Sequence, residues 1–65
     1  MPVVTIEMLE GRTIKQKREL VRTVTSAVAK AVGCLKEDVS IIIRDMPRTN
    51  WATGGELSSD KLPGK

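Results

Sequence analysis

The 65-residue chain has no histidine, phenylalanine or tyrosine, and it contains one cysteine, Cys34, and one tryptophan, Trp51. A single thiol cannot form a disulfide within the chain, and without histidine or a second thiol the usual transition-metal ligand sets are missing. One domain is the most that this length allows, and such a domain buries only about 60% of its unfolded surface. Because disulfides and metals are excluded, we expect association with further copies to stabilise the fold.

Long apolar runs and aromatic residues interleaved with cations are also absent. The stretch Val3–Leu9 is too short to span a bilayer and is interrupted by Thr5 and Glu7, so we expect a cytoplasmic protein with no membrane partner. The net charge of +3 favours anionic partners in general. A small basic nucleic-acid module is one interpretation, but the chain has neither base-stacking aromatics nor a glycine-rich phosphate loop. We therefore expect no nucleic-acid partner and interpret the cations of residues 15–22 as a solvated helix face.

The middle of the chain has the pattern of one amphipathic helix. Thr13 is a good N-cap, and Gln16 completes a capping box, which predicts a helix that begins at Ile14. The helix should end at Val32, with Gly33 in the left-handed conformation that follows many helices. The apolar positions that recur at helical spacing are Leu20, Val21, Val24, Ala27, Val28 and Ala31.

Strands are predicted on both sides of this helix. Residues 2–8 alternate with a period of two, and residues 39–45 form the nearly continuous apolar run of a strand that is buried on both faces. Strand, helix and strand in this order predict an α/β fold, a βαβ unit with two parallel strands and a right-handed crossover. A loop should follow at residues 46–50, and the paired glycines at 54–55 predict a short C-terminal hairpin.

A single βαβ unit of this kind leaves sheet edges and one sheet face uncovered. Residues 1–58 form the predicted domain, and residues 59–65 form a polar C-terminal tail. Unpaired sheet edges accept strands from another copy, and parallel sheets occur almost only with both faces buried. We expect a symmetric dimer in which two units share one four-stranded sheet, with the hairpin and Trp51 sealing contacts to further copies. An active site would then lie between chains.

The first two residues, Met1 and Pro2, indicate general-base chemistry at the amino terminus. A small residue such as Pro2 in second position normally allows removal of Met1, which would expose a secondary amine. An α-amino group has a pKa of roughly 7.7 to 8.0, a nearby cation or a dry pocket lowers that value, and a general base works best when its pKa is near the operating pH. If Met1 stays, the proline nitrogen is a non-basic amide, and Pro2 merely opens an edge strand.

Taken together, these separated motifs resemble the 4-oxalocrotonate tautomerase family. The resemblance covers about residues 2–58, and it rests on Pro2, on IEMLEGRT at residues 6–13, on the helix and second strand, and on Trp51 ahead of GGEL at residues 54–57. It implies a hexamer built as a trimer of βαβ dimers, and an amino-terminal proline that acts as general base without cofactor or metal. The implied reaction belongs to aromatic hydrocarbon catabolism and converts a 2-hydroxy-2,4-dienoate such as 2-hydroxymuconate to its 2-oxo-3-enoate.

The resemblance also implies roles for individual residues. Pro2 would be the base, Arg12 of a neighbouring subunit would hold a substrate carboxylate, and Trp51 would stand where the family has an aromatic pocket wall. Arginine suits its role because its planar fork binds a carboxylate through two hydrogen bonds, and an aromatic wall keeps water away from the amine. The structural alternatives are a solvated turn residue for Arg12 and an interface plug for Trp51.

Ser40 is the position where the sequence departs from the family pattern, since well-known members carry a second arginine there. A serine hydroxyl cannot balance a developing enolate charge as a cation does. Arg44 has the same strand parity but lies roughly 13 Å further along, so Arg44 or Arg48 of another copy, or a sister subunit of a heterohexamer, are the candidate replacements. The alternatives are a weak or silent hexamer, or activity on a different small enol or oxo acid.

Overall fold

The computed structural model describes residues 1–61, so residues 62–65 of the predicted tail lie outside the described residues. The helix and strands are β1 Val3–Leu9, α1 Ile14–Val32, β2 Ser40–Met46, β3 Ala52–Thr53 and β4 Glu56–Leu57. Short 3-10 turns occupy Lys36–Asp38, Arg48–Asn50 and Ser58–Asp60. β1 and β2 are parallel neighbours, and β3 pairs with β4 as an antiparallel hairpin. The predicted α/β fold, a βαβ unit followed by a hairpin, is confirmed.

Both ends of α1 lie at the residues that the capping pattern predicts. The Gln16 backbone N–H donates to the Thr13 hydroxyl at 3.1 Å, and the Thr13 N–H donates to the Gln16 side-chain oxygen at 2.9 Å. At the other end Gly33 has a φ of 74° and donates its N–H to the Ala29 carbonyl at 2.9 Å. No helix in the part of the chain that the structure describes is long and apolar enough to cross a membrane.

The parallel sheet is in register from Val3 beside Ser40 to Leu9 beside Met46. One further hydrogen bond closes each end, from the Ser40 N–H to the Pro2 carbonyl and from the Glu10 N–H to the Met46 carbonyl, both at 3.0 Å. This register shifts both strands one residue from the predicted bounds, because pairing between strands and not local pattern determines where each strand ends.

Only one face of this sheet is covered within a single chain. Ile41 and Ile43 lie half-buried on the face toward α1, whereas Ile42 on the other face is 46% exposed and Val3 is 61% exposed. The burial of β2 on both faces that its apolar run predicts is therefore incomplete in one copy. Large apolar side chains remain on an open sheet face, which is unusual for parallel sheets.

The chain does not enclose a core of its own. Among the described residues only Ala29 and Ser58 are buried, and no large side chain is fully buried. The accessible surface is 5147 Å², against about 4,100 Å² for a compact monomer of this mass. The radius of gyration is 14.9 Å, against about 11 Å for a compact domain of this length. One chain is therefore too open to bury the apolar surface that a stable fold of this size needs.

Candidate active site

Pro2 is half-buried and directly precedes β1, so it lies one residue before Val3, the register partner of Ser40 in β2. Its carbonyl accepts the Ser40 N–H at 3.0 Å, which fixes the position of the proline relative to the second strand. Met1 is 91% exposed. Loss of Met1 would therefore remove few packing contacts, and the proline nitrogen would be left at an accessible edge of the sheet. The structure brings Pro2 and Ser40 together, as two of the predicted site residues.

Arg12 lies at the opposite end of the sheet, in the turn between β1 and α1. Gly11, with a φ of 124°, makes this turn in a conformation that other residues rarely adopt. The seven residues of β1 separate Pro2 from Arg12 by roughly 23 Å. A single chain therefore does not bring these two predicted site residues together, and a site that uses both must draw on a second copy.

The Arg12 side chain lines a cavity of about 190 Å³ together with Met8, Gln16, Lys17 and Leu20. Arg12 is exposed, and it makes no hydrogen bond or ion pair with any other residue of the range 1–61. The cavity has room for roughly six water molecules, which is enough for a carboxylate group. It is smaller than the ~300 to 1,000 Å³ of a typical small-molecule pocket. This chain therefore offers a place for one end of a small acid.

Arg44 lies on the open face of the sheet, on the same side as Ser40 and Ile42. In the register it stands beside Glu7 of β1, and it is roughly 13 Å along the strand from Ser40. Within one chain, Arg44 therefore does not replace a cation at position 40. Arg48, the other predicted candidate, is exposed in the 3-10 turn after β2.

Trp51 joins that turn to the C-terminal hairpin and is half-buried. Its carbonyl accepts the Ser58 N–H at 2.7 Å, which ties the two ends of the hairpin together, and Ser58 is 8% exposed. The indole is thus held on a short closed loop, and its exposed part is available to contact another surface. Ser58 anchors the hairpin at the predicted boundary between domain and tail.

Residues 2–61 match the protein family described as tautomerase enzymes. The chain belongs to this family. It is 45% identical over 60 residues to the 2-hydroxymuconate tautomerase of Bacillus subtilis, which covers 92% of this chain and 97% of that protein. It matches the crystal structure of a 4-oxalocrotonate tautomerase homologue with a TM-score of 0.90 and 42% identity, covering 95% of this chain and 98% of the other.

A second solved structure, the heterohexamer 4-oxalocrotonate tautomerase of Chloroflexus aurantiacus, matches with a TM-score of 0.88 and 38% identity. The match covers 92% of this chain and 97% of that one. These similarities confirm the family resemblance seen in the sequence. This chain is a tautomerase of the 4-oxalocrotonate tautomerase type, an isomerase.

Sequence reasoning missed one feature of this tautomerase, the ion pair between the Lys17 ammonium and the Asp45 carboxylate. Lys17 was expected on a solvated helix face, but it lines the cavity beside Arg12. A signal for the pair was present in β2, because Asp45 has the same strand parity as Ile41 and Ile43. An acidic residue on the strand face that otherwise carries apolar side chains predicts a cationic partner, because a charge that is removed from water is normally paired.

Charge on the remainder of the helix is partly neutralised. The Arg22 guanidinium lowers the pKa of the Glu19 carboxyl, mainly through a direct hydrogen bond and secondly through charge attraction. Glu19 raises the pKa of Arg22 for the same reasons. Both side chains are exposed, and neither lines the cavity. Arg22 therefore forms an ion pair with Glu19, whereas Arg12 has no acidic partner within residues 1–61.

Proposed function

We propose that this tautomerase converts a 2-hydroxy-2,4-dienoate such as 2-hydroxymuconate to its 2-oxo-3-enoate, with the nitrogen of Pro2 as general base once Met1 has been removed. The observation that carries the proposal is the position of Pro2, half-buried at the accessible start of β1 and hydrogen-bonded to β2. The similarity to the 2-hydroxymuconate tautomerase of Bacillus subtilis supports this substrate class.

The proton transfer needs no net exchange with solvent. The unprotonated proline nitrogen accepts the hydroxyl proton at C2 of the dienol, which gives a dienolate. The resulting ammonium returns a proton to C5, and the double bonds move to give the conjugated oxo acid. Negative charge develops on the C2 oxygen during the first step, so a donor placed there accelerates the reaction. Arg12 binds the carboxylate at the remote end through its planar fork, and Trp51 excludes water from the amine.

Turnover of 2-hydroxymuconate by protein whose intact mass shows loss of Met1 tests the proposal directly. Phenylenolpyruvate, an enol with a single carboxylate, serves as the comparison substrate. Turnover of neither enol by the trimmed, assembled protein would contradict the proposed function.

The working site is built between chains, in a homohexamer arranged as a trimer of dimers. Three observations support this assembly: the separation of Pro2 and Arg12 by the length of β1, the open sheet face that carries Val3 and Ile42, and the similarity to a heterohexameric relative. A heterohexamer with a sister chain is the alternative assembly. In either case the chain contributes Pro2 to one site and Arg12 to another.

No folded monomer should be populated at micromolar concentration, because one chain leaves its sheet face open. Sedimentation equilibrium should give a species of about six chains, and Ile42→Lys should dissociate and unfold it by placing a charge on the uncovered sheet face. Leu35→Lys is the matched control, since Leu35 is also exposed, at 65%, but lies in the connection after α1. A stable folded monomer of the parent protein would contradict a site built between chains.

Arg12→Ala should lower kcat/KM for a dicarboxylate substrate much more than for a monocarboxylate substrate. Loss of a charge-assisted contact costs about 1.5 to 3 kcal/mol, so kcat/KM for 2-hydroxymuconate should fall by about 10- to 160-fold. Turnover of phenylenolpyruvate should change little. Arg18→Ala is the matched control, because Arg18 is an exposed arginine in the first part of α1 that does not line the cavity. Equal losses on both substrates would show that Arg12 does not bind the remote carboxylate.

A further inference from the structure

The cavity beside Arg12 contains a second cation that the proposed mechanism does not use. Lys17 lines this cavity, and its side chain is 25% exposed. Its ammonium donates a hydrogen bond to the carboxylate of Asp45, and Asp45 is not among the residues that line the cavity. Two positive charges thus border the same small space, one without an acidic partner in residues 1–61 and one bound to an acid outside the cavity.

The start of α1 adds to this positive potential. Free backbone N–H groups make a helix N-terminus partly positive, and acidic residues normally occupy the first turn for that reason. Here the first turn contains no acidic residue, and Lys15 and Lys17 are cations in its place. The capping box satisfies one helix N–H through the Thr13 hydroxyl, but it brings no negative charge. An anion in the cavity would offset these unfavourable charges.

The link between Lys17 and Asp45 is weak enough to be exchanged. The Asp45 side chain is 35% exposed, and ion pairs in contact with water contribute little because solvent screens them. Lys17 lines the cavity, and its contact with Asp45 is made through the terminal ammonium. A lysine side chain has several rotatable bonds, so its ammonium can turn toward a carboxylate that enters beside Arg12.

We propose that Lys17 is a specificity-determining residue of this tautomerase, whose ammonium joins Arg12 in binding the remote carboxylate of a dicarboxylate substrate. Asp45 competes with the substrate for that ammonium and so lowers the affinity. This inference rests on the proposed function, because it requires an acid substrate that places its remote end in the cavity. A monocarboxylate has no group at this position and gains nothing from Lys17.

Two substitutions that break the same ion pair test the proposal, because they should act in opposite directions. Lys17→Met keeps most of the aliphatic stem and removes the charge, so KM for 2-hydroxymuconate should rise by about tenfold. Asp45→Asn releases the ammonium, so KM should fall by about threefold. In both variants kcat should stay unchanged, because the contact is the same in the ground and transition states. KM for phenylenolpyruvate should not move in either.

Lys15→Met is the matched control, since Lys15 is an exposed lysine of the same helical turn that does not line the cavity. Thermal unfolding of all variants shows what the ion pair contributes to stability. If the pair only fastens α1 to β2, Lys17→Met and Asp45→Asn should destabilise the protein alike and shift KM in the same direction. That result, or equal shifts of KM on the two substrates, would overturn the proposal.

Calorimetric binding of muconate and sorbate separates this inference from the proposed reaction. These six-carbon dienes differ in that muconate carries a carboxylate at both ends and sorbate at only one, and neither is an enol. Opposite shifts of the muconate Kd in Lys17→Met and Asp45→Asn, with no shift for sorbate, would support Lys17 even if the protein turned over no enol. Unchanged muconate binding in Lys17→Met would overturn the role of Lys17 even if the enols were turned over normally.

Discussion

Protein that retains Met1 is expected to be slower than the trimmed protein by roughly 100- to 10,000-fold, the usual contribution of a positioned general base. In the retained form the Pro2 nitrogen belongs to an amide and cannot accept a proton. The fold should not change, because Met1 is 91% exposed and the hydrogen bond that ties Pro2 to β2 uses the Pro2 carbonyl and not its nitrogen. The effect should therefore appear in kcat with little change in thermal stability.

A matched pair of samples isolates this one covalent difference. Protein that retains Met1 is divided, one half is treated with methionine aminopeptidase, and intact mass and turnover of 2-hydroxymuconate are measured on both halves. Pro2→Ala in the trimmed form is the companion variant, since it replaces the secondary amine with a more mobile primary amine. Its rate should fall without vanishing. Equal turnover by the treated and untreated halves would remove Pro2 from the mechanism.

Local chemistry explains why the helix was predicted to the residue and the strands were not. Thr13 and Gln16 bond to each other at the start of α1, and the capping glycine is the residue directly after its end, so nearby residues alone specify both bounds. The start of β2 depends on distant pairing, because Ser40 donates its N–H to the carbonyl of Pro2, the residue directly before β1. Val39 instead donates its N–H to the Lys36 carbonyl and completes the preceding 3-10 turn.

The candidate site was harder to predict because some of its residues are close in the sequence and far apart in the fold, and others are far apart in the sequence and in contact. Pro2 and Arg12 stand close in the sequence, yet β1 holds them at opposite ends of the sheet. Lys17 and Asp45 are 28 residues apart in the sequence. Helical periodicity alone predicted that Lys17 lies on the solvent-exposed face of α1. The packing of α1 on β2 shows that Lys17 forms an ion pair with Asp45 near the end of β2 and lines the cavity beside Arg12.

Ser40→Arg should raise kcat for 2-hydroxymuconate by about tenfold or more. A hydrogen-bond donor directed at developing negative charge typically changes kcat by ~100- to 1,000-fold. The expected gain is smaller because an introduced arginine is less well positioned than a native donor. Ser40 is exposed, and its N–H is bonded to the Pro2 carbonyl. An arginine here would place a cation at the end of the sheet that carries the base. The gain should appear in kcat and not only in KM.

Thr5→Arg is the control for this substitution, since it adds the same charge to the same open face of the sheet but two residues further from the start of β1. Arg44→Ala and Arg48→Ala test the alternative that another copy already supplies the missing cation, and loss of activity in either identifies that residue. Thermal stability and sedimentation must accompany the kinetics, because an added positive charge on the open sheet face can weaken an assembly. If Ser40→Arg assembles normally and gains nothing on the dicarboxylate, Ser40 does not limit the reaction, and a different acid substrate or a sister subunit becomes the better explanation.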